Sequence, residues 1–90
     1  MSKVAVILRV LPEDISVSLE QLVAELKKKL PSQYSLEAWD EEPIAFGLKA
    51  LRLLVLIPES TEGGTEPLEE LIGQLPGVSQ VEVLVVHRAF

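Results

Sequence analysis

The chain predicts an α+β fold in which a four-stranded antiparallel sheet carries two helices on one face. Two observations lead there. Four segments alternate apolar and polar residues with period two, and two segments repeat apolar residues at helical spacing, in the order β-α-β-β-α-β. The helical segments also match each other, LEQLVAEL at Leu19–Leu26 against LEELIGQL at Leu68–Leu75. Each half of the chain therefore reads as one βαβ unit.

The first strand is Ser2–Leu11, with Val4, Val6, Leu8 and Val10 on one side and Ala5, Ile7, Arg9 and Leu11 on the other. Pro12, Glu13 and Asp14 end it. Ser18 starts a helix, with Gln21 as capping-box partner and Leu19, Leu22, Val23, Leu26 and Leu30 as its apolar stripe. Lys27–Lys29 complement the negative end of that helix, and Pro31 closes it. Tyr34–Asp40 alternates as a second strand, the side taken by Trp39 left open. Leu48–Ile57 is the third, with Leu51, Leu53, Val55 and Ile57 together. The run from Pro58 to Gly64 is a loop by composition, Thr65 is an N-cap, and Pro67 suits a first helical turn. Leu68, Leu71, Ile72 and Leu75 form the second stripe, and Pro76-Gly77 stops it. Val78–Arg88 is the last strand, Val81, Val83 and Val85 facing one way.

Right-handed crossovers place both helices on one face, the ferredoxin-like arrangement. The other face is left open and carries Ala5, Ile7, Leu54, Leu56, Leu84 and Val86, interrupted by Arg9, Arg52 and Glu82. Such a face suits either a contact surface or ordinary strand propensity.

Ninety residues suffice for one domain, residues 1–90. The chain contains no cysteine, which removes disulfides, thiol catalysis and thiolate metal sites. Arg9 breaks the apolar N-terminal run, so it reads as a strand and not a signal peptide. A cytoplasmic protein is expected. The net charge of −6 disfavours a phosphate backbone as partner. RNA-recognition modules share this element order but stack bases on strand aromatics, and neither the first nor the third strand has one.

Chemistry finds little to use. His87 is the one histidine, too few for a transition-metal site, and Asp40-Glu41-Glu42 lacks calcium-loop spacing and reads as a solvated acidic loop. No serine has a nucleophile context, and Gly63-Gly64-Thr65 lacks the lysine of a phosphate loop. The residues point to a non-enzyme. Two local features are left over from core building. One is Pro43-Ile44-Ala45-Phe46-Gly47, an aromatic between a proline and a glycine. The other is the ending His87-Arg88-Ala89-Phe90, a cation and an aromatic where chain ends are usually polar. Proteins that act by touching another protein use such anchors.

The stretches EEPIAFGLKAL, EGGTEPLEELI and GVSQVEVLVVHRAF resemble archaeal translation elongation factor 1-beta and the C-terminal exchange domain of the eukaryotic beta subunit. The resemblance runs through essentially the whole chain. It implies a guanine-nucleotide exchange factor for elongation factor 1-alpha, the GTPase that delivers aminoacyl-tRNA, and no cofactor, since the nucleotide and ion would belong to that partner. It further implies that the C-terminal tip enters the nucleotide site near the magnesium ion and phosphate loop, and that Phe46 anchors the domain. Eukaryotic members carry a lysine where Arg88 aligns, and Ala89 and Phe90 extend past it. The candidate partner-binding residues are Pro43, Ile44, Phe46, Gly47, His87, Arg88, Ala89 and Phe90, expected as two halves of one site. The other reading open to the residues is a small-molecule-binding or oligomerisation module working through the open sheet face.

Overall fold

Alternation in the strands and the two apolar stripes give the chain three layers of side chains to place. In a computed structural model describing residues 3–60 and 64–88, they fall as β1 Lys3–Pro12, α1 Leu19–Lys29, β2 Ser35–Ala45, β3 Leu48–Pro58, α2 Glu66–Gly73 and β4 Val78–Arg88. The sheet order is β2-β3-β1-β4, every pairing antiparallel. The fold is ferredoxin-like. Among the described residues no helix is long and apolar enough to cross a membrane.

The register explains the core. Val6, Leu8 and Val10 of β1 lie opposite Val55, Leu53 and Leu51 of β3, and all six are buried. Leu19, Leu22, Val23 and Leu26 of α1 and Leu68 and Ile72 of α2, with Leu75 just beyond it, join the same cluster, so both helices cover this one face. Burying such aliphatic side chains contributes about 1.5–3 kcal/mol each, which is what holds two short helices on a small sheet. Ala5, Ile7 and Arg9 pair with Leu56, Leu54 and Arg52 on the open face.

Helix entry differs between the halves. Ser18 caps α1 with its hydroxyl, which accepts from the Gln21 N–H at 3.2 Å. Thr65 makes no side-chain cap to α2; its hydroxyl donates to the Glu69 carboxylate at 2.8 Å instead. Gly77, at φ 91°, follows α2 in a conformation that disfavours a side chain, and an added Cβ would come within 3.0 Å of Val17. Its carbonyl accepts the Glu13 N–H at 2.8 Å, tying the connection after β1 to the one before β4.

Departures from simple alternation reshape the edges. β2 continues through the acidic run to Ala45, so Asp40–Glu42 is strand and not loop. An irregularity between Leu36 and Ala38 puts Leu36 and Trp39 opposite Val55 and Leu53, on the helix-side parity. In β4 the register slips between the partners of Ile7 and Leu8: Val83 faces Leu8, but Val85 faces Ile7. Leu84 is the extra residue of this bulge. Beyond it the faces exchange, so Val85 leaves the side of Val81 and Val83, and Val86 leaves the open face for the side of Val6. Leu84, Val85 and Val86 are all exposed.

Candidate partner-binding site

The β2–β3 connection has two residues, Phe46 and Gly47, closed by the pairing of Ala45 with Leu48. Both have positive φ, 52° and 79°. This is the backbone of a type I′ hairpin turn, whose twist matches that of the strands. Its first central position favours Asn, Asp or Gly, and a bulky L residue there is held against its steric preference. Phe46 is also 102% exposed, so no packing offsets that cost. An outlier of this kind on a rigid turn directs attention to function. Ile44, at the irregularity between Pro43 and Ala45, is exposed beside it. Pro43 sits on an edge strand, which tolerates its missing N–H. Pro43, Ile44, Phe46 and Gly47 therefore form one hairpin tip.

That tip stands on a ladder of ion pairs. On the open face Arg52 donates to Asp40 through Nε at 2.8 Å and Nη2 at 2.5 Å; on the helix-side parity, where Glu41 is opposite Leu51, Lys49 Nζ is 3.6 Å from Glu41 Oε1. Arg9 reaches across β3 to Glu42 at 3.0 Å and lies 3.5 Å from Glu82 of β4. Ala50, the β3 residue opposite Glu42, is fully buried, consistent with a roof made by this crossing. Arg9 and Arg52 are direct cross-strand neighbours, an unfavourable pairing of like charges that the flanking acids compensate. The open face is thus apolar at its margins and charged across its middle.

Hydrogen bonds from Arg52 hold the Asp40 carboxyl below its ordinary value, and raise that of Arg52. A depressed carboxyl stabilises the fold above the unfolded carboxylate range, near pH 4, and that contribution is lost as pH falls through the folded value. Asp40→Asn is expected to lower the melting temperature slightly at pH 7 and to melt like the parent in strong acid. Thermal melts of both proteins across pH 2–7 check this; the group is exposed, so the difference is small.

The second group of residues lies at the end of β4. The bulge sets its facing: His87 is opposite Ala5 on the open face, and Arg88 is opposite Val4 on the helix side. Arg88 Nη2 is paired with Glu59 Oε1, in the turn after β3. Ala89 and Phe90 lie outside the described residues.

The two groups do not come together as one local site. Arg88 pairs with Val4 near the start of β1, whereas the hairpin adjoins its far end, where Val10 pairs with Leu51. Six residues of β1 and three of β3 separate them, about 30 Å at strand rise, in a molecule 42 Å along its longest axis. One ligand small enough for a pocket cannot touch both; one macromolecule can. Among the described residues no three His, Asp or Glu side chains gather as a metal-binding group.

The EF-1 guanine nucleotide exchange domain matches residues 5–89, a span that includes both groups except Phe90. The chain belongs to this exchange-domain family. It is 59% identical to the elongation factor 1-beta of Staphylothermus marinus and 60% identical to that of Desulfurococcus amylolyticus, each over 88 residues and 98% of either chain. It is 52% identical to the elongation factor 1-beta of Sulfolobus acidocaldarius over 85 residues, 94% of either chain. Sequence reasoning missed two features of this exchange domain. The ion-pair ladder left no local signal, because its partners meet only through strand register. The bulge left one: Val83-Leu84-Val85-Val86 is an unbroken apolar run on an edge strand, where strict alternation should have continued.

Proposed function

We propose that this chain acts as a single guanine-nucleotide exchange domain over residues 1–90, in the cytoplasm, on the translation GTPase elongation factor 1-alpha. Membership of the exchange-domain family supports the class of function and the relatives' name supports the translation partner. The observation that carries the mode of action is Phe46, a fully exposed aromatic on a turn that disfavours it. It serves as the anchor, with Pro43, Ile44 and Gly47 shaping its turn. At the opposite end Arg88, with His87, Ala89 and Phe90, is the tip that disturbs the nucleotide site.

The chemistry is linkage, and this protein makes or breaks no covalent bond. GDP and its magnesium ion favour one arrangement of the GTPase, and the exchange domain binds best to the arrangement without them. Each ligand then weakens the other by the same factor. Two contacts about 30 Å apart suit this purpose: the anchor holds the domain in both states, and the tip engages only as the site opens. The nucleotide and ion belong to the partner. Calorimetric titration of the GTPase tests the linkage. Affinity for the nucleotide-free form should exceed that for the GDP-magnesium form by about 5- to 150-fold. Equal affinities would remove the basis for exchange.

A further inference from the structure

We infer that Glu59 is a positioning residue for the exchange step, holding the Arg88 guanidinium in the direction from which it reaches the partner. The inference rests on Arg88 being the active tip. β4 is an edge strand, and beyond Val83 its side chains are exposed, so pairing with β1 orders the backbone there but leaves a long arginine side chain largely free. Arg88 is 71% exposed at its side chain. The β3 end lies beside it because Pro58 pairs with Lys3 and Arg88 with Val4, neighbours in β1. Glu59 follows Pro58 directly, and its Oε1 pairs with Arg88 Nη2.

A guanidinium carries five donors in a fixed fork. That is more donors than one carboxylate takes up, so the fork can serve Glu59 and a carboxylate or phosphate oxygen of the partner together. An ammonium is a point charge that would have to choose between the two. An exposed pair of this kind adds little to stability. Its effect is to narrow the directions Arg88 samples, so it acts on the rate of exchange and not on the fold.

The test is fluorescent-GDP release from elongation factor 1-alpha, titrated with the unaltered chain, Glu59→Gln, Arg88→Ala and the double variant. Glu59→Gln should lower the plateau rate about two- to fivefold, the range an exposed pair supplies, with the half-saturating concentration and melting temperature nearly unchanged. In the Arg88→Ala background the same change should do nothing. A plateau equal to the parent's, or a higher one marking Glu59 as a brake, overturns the inference while leaving the tip reading intact if Arg88→Ala is impaired. A loss that persists without Arg88 places the action of Glu59 elsewhere and also overturns it. Full activity of Arg88→Ala removes the tip reading itself.

Discussion

Removing Arg88, Ala89 and Phe90 is expected to return GDP release from elongation factor 1-alpha to the GTPase's own rate while the domain stays folded. Arg88 is largely exposed and its ion pair with Glu59 is a surface pair. Its loss should move the melting temperature little, as surface changes usually stay within about 0.5 kcal/mol. The functional cost is larger. A hydrogen bond to a charged group contributes about 1.5–3 kcal/mol, so Arg88→Ala alone should slow the catalysed release about 10- to 100-fold. Arg88→Lys should fall between, since an ammonium keeps the charge and loses the fork. The check is the release rate at saturating exchange domain beside a thermal melt. Full activity after the truncation would contradict the tip mechanism.

Phe46→Asn is expected to separate stability from binding in opposite directions. Asparagine is at home in the first central position of a type I′ turn, so the hairpin loses the steric cost of holding phenylalanine at φ 52°. That cost is about 1–2 kcal/mol, and for a domain of this size each recovered kcal/mol raises the melting temperature by about 4–8 °C. The exposed ring contributes nothing to the core, so nothing is lost with it. Binding to the GTPase should weaken about 30-fold or more, the loss of an aromatic anchor contributing about 2 kcal/mol. Phe46→Ala is the control, because alanine keeps a side chain at positive φ: affinity falls without the gain in stability. A lower melting temperature with unchanged affinity would return Phe46 to a structural role.

Much of the architecture was legible because periodicity and burial share one cause. Val6, Leu8 and Val10 had to face the stripes Leu19–Leu26 and Leu68–Leu75, and nothing local competes with that choice. The hairpin was partly legible: two alternating runs end in a glycine, but Phe-Gly does not announce a type I′ turn as Asn-Gly does. Asp40–Glu42 looked like a solvated loop because its counter-charges are distant. Arg9 is 33 residues from Glu42 and Arg52 is 12 from Asp40, and only register brings them together. The bulge at Leu84 decided more than its size suggests. It transfers Val85 and His87 to one face and Val86 and Arg88 to the other, and alternation read from Val81 onward predicts the opposite. That the hairpin and the tip occupy opposite ends of the sheet follows from antiparallel pairing, which chain order alone does not reveal.

In the proposed function this exchange domain speeds nucleotide release from elongation factor 1-alpha. Stopped-flow measurement of fluorescent-GDP release, with an excess of unlabelled nucleotide and increasing exchange domain, addresses it most directly. The release rate is expected to rise with the exchange domain and to saturate well above the intrinsic rate. A rate that stays at the intrinsic value throughout, with both proteins folded, would contradict it.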